Sequence, residues 1–386
     1  MLSARRLLPA LLACAVAWAG LAPVAMSAPA SHSHLVFLGT YTKNGSRGIY
    51  AARLDAATGA LAAPSLVAET PDPAWITLSP DKKFLYAIHP SQAQATGYAV
   101  AVSPSATTLT PLPVTATAAR TATANPPSHL AVDATGRALL AANYRDGFVA
   151  ALSIAADGSL AAPHVTPHTG KGTDPKRQEA PHVHSVTLSP DNRFVAVCDL
   201  GLDRVYSYAL DATAATLTPP ATPFATTPAG FGPRHFKFSA DGRFAYAITE
   251  MGGTIEAFRY NAATGALSPL QSISSLPADF AGLKWGAEVR LHPSGKFLYA
   301  SNRTHDSLAV FAIAADTGRL TLTEIVASGG KTPRNFALTP DGQWLLCAHQ
   351  DSPDLTTFRV DPATGRLTLA SRQTAGPASV CVLFYD

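Results

Sequence analysis

The feature that most constrains this chain is a turn that keeps returning. Ser79-Pro-Asp81, Asp133-Ala-Thr-Gly136, Ser189-Pro-Asp191, Ser239-Ala-Asp-Gly242, His292-Pro-Ser-Gly295 and Thr339-Pro-Asp-Gly342 follow one another at intervals of about 50 residues. Each sits between an alternating polar–apolar run and an aromatic or aliphatic run such as FLYAIH, ALLAANY, FVAVCDL, FAYAITE, FLYASNR or WLLCAHQ. Alternation marks a half-buried strand, and Asp and Gly supply backbone angles that other residues resist. Each stretch is therefore a hairpin. Gly232–Glu250, GPRHFKFSADGRFAYAITE, shows the pattern most fully. Its strands run out to the turn and back, which puts Arg234 and Glu250 on one rim, at the end away from the turn.

A second half-repeat follows each hairpin: a strand, an Asp/Asn-Ala-Thr-Gly-like turn, and a Leu that opens another strand. Those leucines are Leu61, Leu109, Leu160, Leu217, Leu267, Leu320 and Leu367, one more than the complete first halves. Pro377–Phe384, PASVCVLF, matches the missing inner strand and has no partner after it. A ring in which the last strand completes the first unit accounts for both ends. Units of about 50 residues with four strands each are the mark of a β-propeller. Solenoid repeats are generally shorter. The expected fold is all-β: a seven-bladed β-propeller of four-stranded antiparallel blades, closed by the C-terminal strand. No helix-period segment appears after residue 30.

Residues 1–30 have a different character. They carry Arg5 and Arg6, no acidic residue, an apolar run Leu7–Ala22 and the small-residue stretch Ala28-Pro-Ala30. The run is shorter than the roughly 20 residues that span a bilayer, and the whole reads as an export signal. The flanks of the arginine pair fit a twin-arginine signal poorly. Cys14, in a lipoprotein-like Leu11–Cys14 box, lies within the apolar run. The expected organisation is a signal peptide, 1–30, and one propeller domain, 31–386, in a periplasmic or secreted protein without a membrane span. The formal net charge is +3, of which the first 30 residues contribute two. This gives no basic field for nucleic acid. Cys198, Cys347 and Cys381 lie in strand-like segments and read as small buried side chains rather than a disulfide framework.

Aligning the repeats on the turn collects the residues at the opposite mouth of the channel. Inner-strand starts contribute Ala74/Trp75, Ser128/His129, His184/Ser185, Arg234/His235, Ala287/Glu288 and Arg334/Asn335. Second-strand ends contribute His89, Asn143/Tyr144, Asp199, Glu250, Asn302/Arg303 and His349/Gln350. Charge concentrates in the later blades, as a one-sided ligand pocket requires and a structural ring does not. Two connectors on the same face, Ala161–Pro181 and Ser268–Trp285, are long enough to wall it. His182 and His184 are spaced for a metal pair, but a metal site wants three or more ligands, and no further cluster with ligand spacing is evident. No metal or other cofactor is expected. Asp199 and Asp203, in CDLGLDR, read as turn or strand-end devices.

The strings GTYT at Gly39–Thr42, PHVHSVTLSPDNRFVAVCDLGLDRVYSY at Pro181–Tyr208, GPRHFKFSADGRFAYAITE and FLYASNR together resemble the seven-bladed β-propeller lactonase family of bacterial 6-phosphogluconolactonases and fungal carboxymuconate cyclases. The resemblance runs from Leu35 to Asp386. It implies a metal-independent site made of His184 (or His182), Arg234, Glu250 and Arg303, the same four that the repeat alignment gathers. His182, His235, Glu288, Arg334 and Asn335 are expected to bind substrate around them. Ile88-His-Pro90 departs from the family pattern, which more often has Asn-Glu there.

The chemistry these residues imply is hydrolysis of a sugar (aldono)lactone. Glu250 or His184 deprotonates water and the arginines hold the developing oxyanion. A carboxylate between two arginines is a weak base, which favours His184. Export favours an unphosphorylated substrate such as glucono-1,5-lactone. A 6-phosphogluconolactone, a carboxymuconate cyclised in the reverse sense, and non-catalytic binding of a partner or glycan are the alternatives.

Overall fold

The computed structural model of the chain describes residues 32–42, 45–89, 94–103, 106–113, 125–374 and 378–385. The signal-peptide reading of residues 1–30, Pro90 and Pro377 lie outside them. Residues 32–386 form one compact unit. It is built from seven antiparallel sheets.

The first blade is made of β1 (Ser33–Thr40), β2 (Gly48–Asp55) and β3 (Ser65–Glu69), with β29 (Ser379–Phe384) on the inner side of β1. The remaining blades follow in chain order. Blade two holds β4 (Ile76–Leu78) to β7 (Thr107–Pro111), and blade three β8 (His129–Val132) to β11 (His164–Pro167). Blade four runs from β12 (Val183–Leu188) and β13 (Phe194–Asp199) to β14 (Arg204–Asp211) and β15 (Thr216–Thr218). A short extra strand, β16 (Phe224–Thr226), pairs with β14. Blades five, six and seven begin with β17 (Pro233–Phe238), β21 (Gly286–Leu291) and β25 (Pro333–Leu338). The inner strands touch in the order β4, β8, β12, β17, β21, β25, β29 and back to β4, so the ring closes. β29 pairs with β1 antiparallel, Val36 opposite Phe384 and Leu38 opposite Val382. The chain's last strand thus completes its first blade, as the repeat count requires.

The two repeated turns interlock between blades. In the first turn a hydroxyl caps the carboxylate two residues on, as Ser239 Oγ does for Asp241 at 2.6 Å. The aromatic that follows packs on the glycine of the next blade's second turn: Phe84 on Gly158, Phe194 on Gly265, Phe244 on Gly318, Phe297 on Gly365 and Trp344 on Gly59. Gly59 has φ 70°, and any Cβ there would enter the Trp344 ring, so two constraints select glycine. A polar pin accompanies the contact in four places. Tyr86, Tyr246 and Tyr299 donate their hydroxyls to Gly158, Gly318 and Gly365 carbonyls at 3.0, 2.9 and 2.9 Å. Trp344 Nε1 donates to Ala56 O at 2.9 Å, bridging blade seven to blade one. The repeated leucines are buried between blades, except Leu217, which is half-buried. Cys198, Cys347 and Cys381 are buried free thiols.

One expected loop is shorter than the sequence suggested. Ser268–Ser274 belongs to β20 (Ala266–Ser274), the outer strand of blade five, and only the residues from Ser275 onward connect to β21. The strand carries Pro269 at a break in its ladder, on the sheet's outer edge, where a missing N–H is tolerated.

Trp344→Ala removes both the ring contact and the pin at the seam between the first and last blades. It is expected to lower unfolding free energy by about 3–5 kcal/mol in urea titrations. Leu369→Ala, at a side chain 51% exposed on an outer strand, should stay within about 0.5 kcal/mol.

Candidate active site

The mouth residues are delivered by a backbone irregularity that four blades share. In β12, Val183 pairs with Asp199 and Ser185 with Cys198, which leaves His184 without a ladder partner. In β17 the same break skips Arg234, and in β25 it skips Arg334. In β21 it falls on Ala287 and Glu288. A bulge re-aims the side chain of its extra residue. Here it turns the first residues of the inner strands toward the channel.

The acidic residues of CDLGLDR hold the chain in this geometry. Asp203, at φ 52°, accepts from the backbone N–H of Gly230 and Gly232 at 2.7 and 2.8 Å, just ahead of Arg234. Asp199 accepts from the N–H of His182 at 2.8 Å and from His168 Nδ1 at 2.6 Å, and His168 Nε2 meets the Tyr208 hydroxyl at 2.9 Å. Both aspartates are strand-end devices, as read from the sequence, and they fix the segments that carry His184 and Arg234.

These elements meet around one carboxylate. Glu250 Oε2 lies 3.0 Å from Arg234 Nε and 3.0 Å from Arg303 Nη2, and 3.7 Å from His184 Nε2. Its other oxygen takes Arg177 Nη2 at 2.5 Å. Arg234 also donates to Ala287 O, and Arg303 to Gly286 O. Trp285 lies beneath the Arg303 and Arg177 guanidiniums, with its ring centre 5.3 and 5.8 Å away. The cavity above encloses about 380 Å³ and is lined by His184, His235, Asn335 and five arginines: 145, 177, 234, 303 and 334. Glu250 is the one acidic residue among its lining. Trp75, Tyr41, Tyr144, Ile88 and Val380 supply its apolar wall.

Charge and burial set the protonation states. Burial opposes ionisation of Glu250, but the Arg303 and Arg234 charges outweigh it and hold the carboxyl well below the usual range. Burial, reinforced by Arg234, pushes the His184 imidazole well below its ordinary value, so it is neutral at pH 7. Burial and the neighbouring Arg334 and Arg303 bring Arg234 down to about 9. His184 Nδ1 and Arg303 Nε are buried without a hydrogen-bond partner among the described residues.

Every one of the four residues expected at the centre is there. His235, Arg334 and Asn335 also line the cavity, but His182 and Glu288 do not. The bulge separates the two histidines: His182 stacks on Tyr144 at 4.5 Å, and its ring nitrogens lie 2.9 Å from Tyr144 O and 3.2 Å from Glu179. His184 is thus the one that faces the pocket, while His182 is engaged by Tyr144 and Glu179. Among the described residues no cluster of three His, Cys, Asp or Glu is arranged to hold one. Glu288 is fully buried one layer down, 3.1 Å from His235 Nδ1 and 2.5 Å from Asn335 Nδ2. It supports two lining residues rather than meeting a ligand. Arg177 was missed by the repeat alignment, because it comes from the Ala161–Pro181 connector and has no counterpart in other blades. The unusual length of that connector was the available signal.

The family described as Lactonase, 7-bladed beta-propeller, matches residues 35–384. The chain belongs to this family. Such lactonases include the 6-phosphogluconolactonase of Bacillus subtilis, 34% identical over 304 residues that cover 78% of this chain and 84% of that protein. That of Formosa agariphila is 31% identical over 309 residues, covering 78% and 86%. Among solved structures, the Pseudomonas aeruginosa periplasmic gluconolactonase superposes with a TM-score of 0.82 at 31% identity, over 92% of this chain and 99% of that one. The lactonase fold and the lactone-hydrolysing class of this enzyme follow from these matches.

Removing the central carboxylate leaves three guanidiniums facing one another. Glu250→Ala is expected to lower stability by about 3–5 kcal/mol. Because the folded-state pKa of Glu250 is depressed, its contribution is complete above the ordinary value of 4.5 and fades as pH falls through the folded-state value. The gap between wild type and variant should therefore be constant near neutrality and narrow in acid, as read by urea midpoints at several pH values.

Proposed function

We propose that this lactonase opens an unphosphorylated aldonolactone, of the glucono-1,5-lactone class, to the aldonic acid, with His184 as general base. The observation that carries the reading is the neutral His184 imidazole set beside a carboxylate that three arginines have already disarmed. Glu250 is too acidic to take a proton from water, whereas a neutral imidazole has a free lone pair. Water attacks the lactone carbonyl and gives its proton to His184. Arg234 and Arg303 stabilise the oxyanion that forms, with no reorganisation needed. As the tetrahedral species collapses, the bond from the carbonyl carbon to the ring oxygen breaks, and the imidazolium returns its proton to that oxygen. Glu250 anchors the arginines and stabilises the transient imidazolium from 3.7 Å. The aldonate product leaves as an anion from a cationic mouth.

Two features support the unphosphorylated substrate and an extracytoplasmic site of action. One is the export-signal character of residues 1–30. The other is the likeness to a protein described as a periplasmic gluconolactonase. A second reading, 6-phosphogluconolactone, is favoured by Arg145 and Arg334, which line the mouth without an acidic partner among the described residues and suit a phosphate. Proton release from both lactones, with spontaneous opening subtracted, decides between them. The expected result is faster turnover of the unphosphorylated lactone, unchanged by EDTA; a preference for the phosphorylated one supports the second reading, and no rate above background with either removes both.

His184→Ala should lower kcat by 10²–10⁴-fold, the usual contribution of a general base. Activity should be flat from pH 6 to 8 and fall only in acid, as the depressed imidazole protonates. A fall centred near the ordinary histidine value of 6.5 would argue against His184 as the base.

A further inference from the structure

The channel below the mouth carries a charge pattern that the catalytic site does not explain. The inner strands share a ladder position one residue before their ends, opposite the third residue of the second strand. It is Thr77 in blade two, Ala131 in blade three, Thr187 in blade four and Ala337 in blade seven. In blades five and six it is Lys237, opposite Tyr246, and Arg290, opposite Tyr299. Two cations thus stand side by side on adjacent inner strands, β17 and β21, where the repeat elsewhere places neutral residues.

They line a separate cavity of about 180 Å³ with Trp75, Thr187, His129 and Cys381. Among the described residues, Glu288 is the one carboxylate in an ion pair with either of them. The Lys237 ammonium has no hydrogen bond or ion pair among the described residues. Arg290 Nε reaches Glu288 Oε1 only at 3.4 Å and counts as a buried donor without a hydrogen bond. Glu288 is already engaged by His235 and Asn335. His129, 4% exposed, also leaves Nδ1 unpartnered. Burial, and after it the Arg290 charge, bring the Lys237 ammonium down to about 8. Like charges on neighbouring strands repel, and unpaired buried donors are costly.

We infer that Lys237, Arg290 and His129 form a binding site for a small oxyanion, of the phosphate or sulfate class, in the channel below the catalytic mouth. The guanidinium and ammonium provide charge-assisted donors, and the His129 ring lines the same cavity as a third polar partner. The cavity, about 180 Å³ against about 380 Å³ for the mouth, is large enough for an inorganic oxyanion.

Calorimetric titration of the full chain with inorganic phosphate at pH 7 tests the inference. The mouth's arginines are expected to bind phosphate too, so the wild type should show two classes of site. Lys237→Met should lose one class, or weaken it at least tenfold, and still turn over lactone at the wild-type rate. The double variant Arg145→Ala/Arg334→Ala should weaken the other class and keep the first. Lys237→Arg should restore binding, and Lys237→Gln serves if the methionine variant does not fold. Binding should also take up protons near pH 8, seen as a buffer-dependent heat that Lys237→Met abolishes. Titrations of Lys237→Met and Lys237→Gln that superpose on the wild type overturn the site, as does a single class lost only in the mouth variant.

Discussion

The arrangement at the mouth depends on one carboxylate that binds three guanidiniums at once. Arg177, Arg234 and Arg303 come from a connector, an inner strand and the end of a second strand. Brought together without an anion they would repel. Glu250 makes their convergence possible and in doing so gives up its own basicity. The division of labour follows from electrostatics. The carboxylate becomes a counter-ion, as its place between arginines suggested in the sequence, and the neighbouring imidazole is kept neutral by burial beside a cation.

That arrangement is held from below as well as around. His235 sits between Arg234 Nη1, 3.1 Å from its Nε2, and Glu288, 3.1 Å from its Nδ1. A neutral imidazole satisfies both contacts when Nδ1 carries the proton and Nε2 accepts from the arginine. Asn335 closes the layer, donating to Glu288 and accepting from Val382 N–H at 2.8 Å, so the C-terminal strand is tied to the floor of the site. Ring closure and site geometry are therefore parts of one structure.

Much of this was legible in the chain because repetition supplies a coordinate system. Once the Ser-Pro-Asp-Gly turns are aligned, Arg234, Glu250 and Arg303 fall at equivalent ends of strands, and equivalence in a ring means convergence. Blade number was readable from the unpaired halves at the two termini. What repetition could not supply was anything particular to one blade. Arg177 lies on a unique connector. His182 and His184 looked interchangeable because a regular strand sends i and i+2 the same way, and only the bulge at His184 separates them. Glu288 was placed correctly on its strand but one layer too high, since an extra bulge residue shifts depth without altering the sequence pattern.

The pairing of β29 with β1 has an effect on the order of events in synthesis. The first strand made has its inner neighbour supplied by residues 379–384, so its edge stays unpaired until nearly the whole polypeptide exists. No early blade can lock the circle by itself, and completion waits for the C-terminus. A nascent chain of this kind keeps the inner edge of β1 open until residues 379–384 have been made.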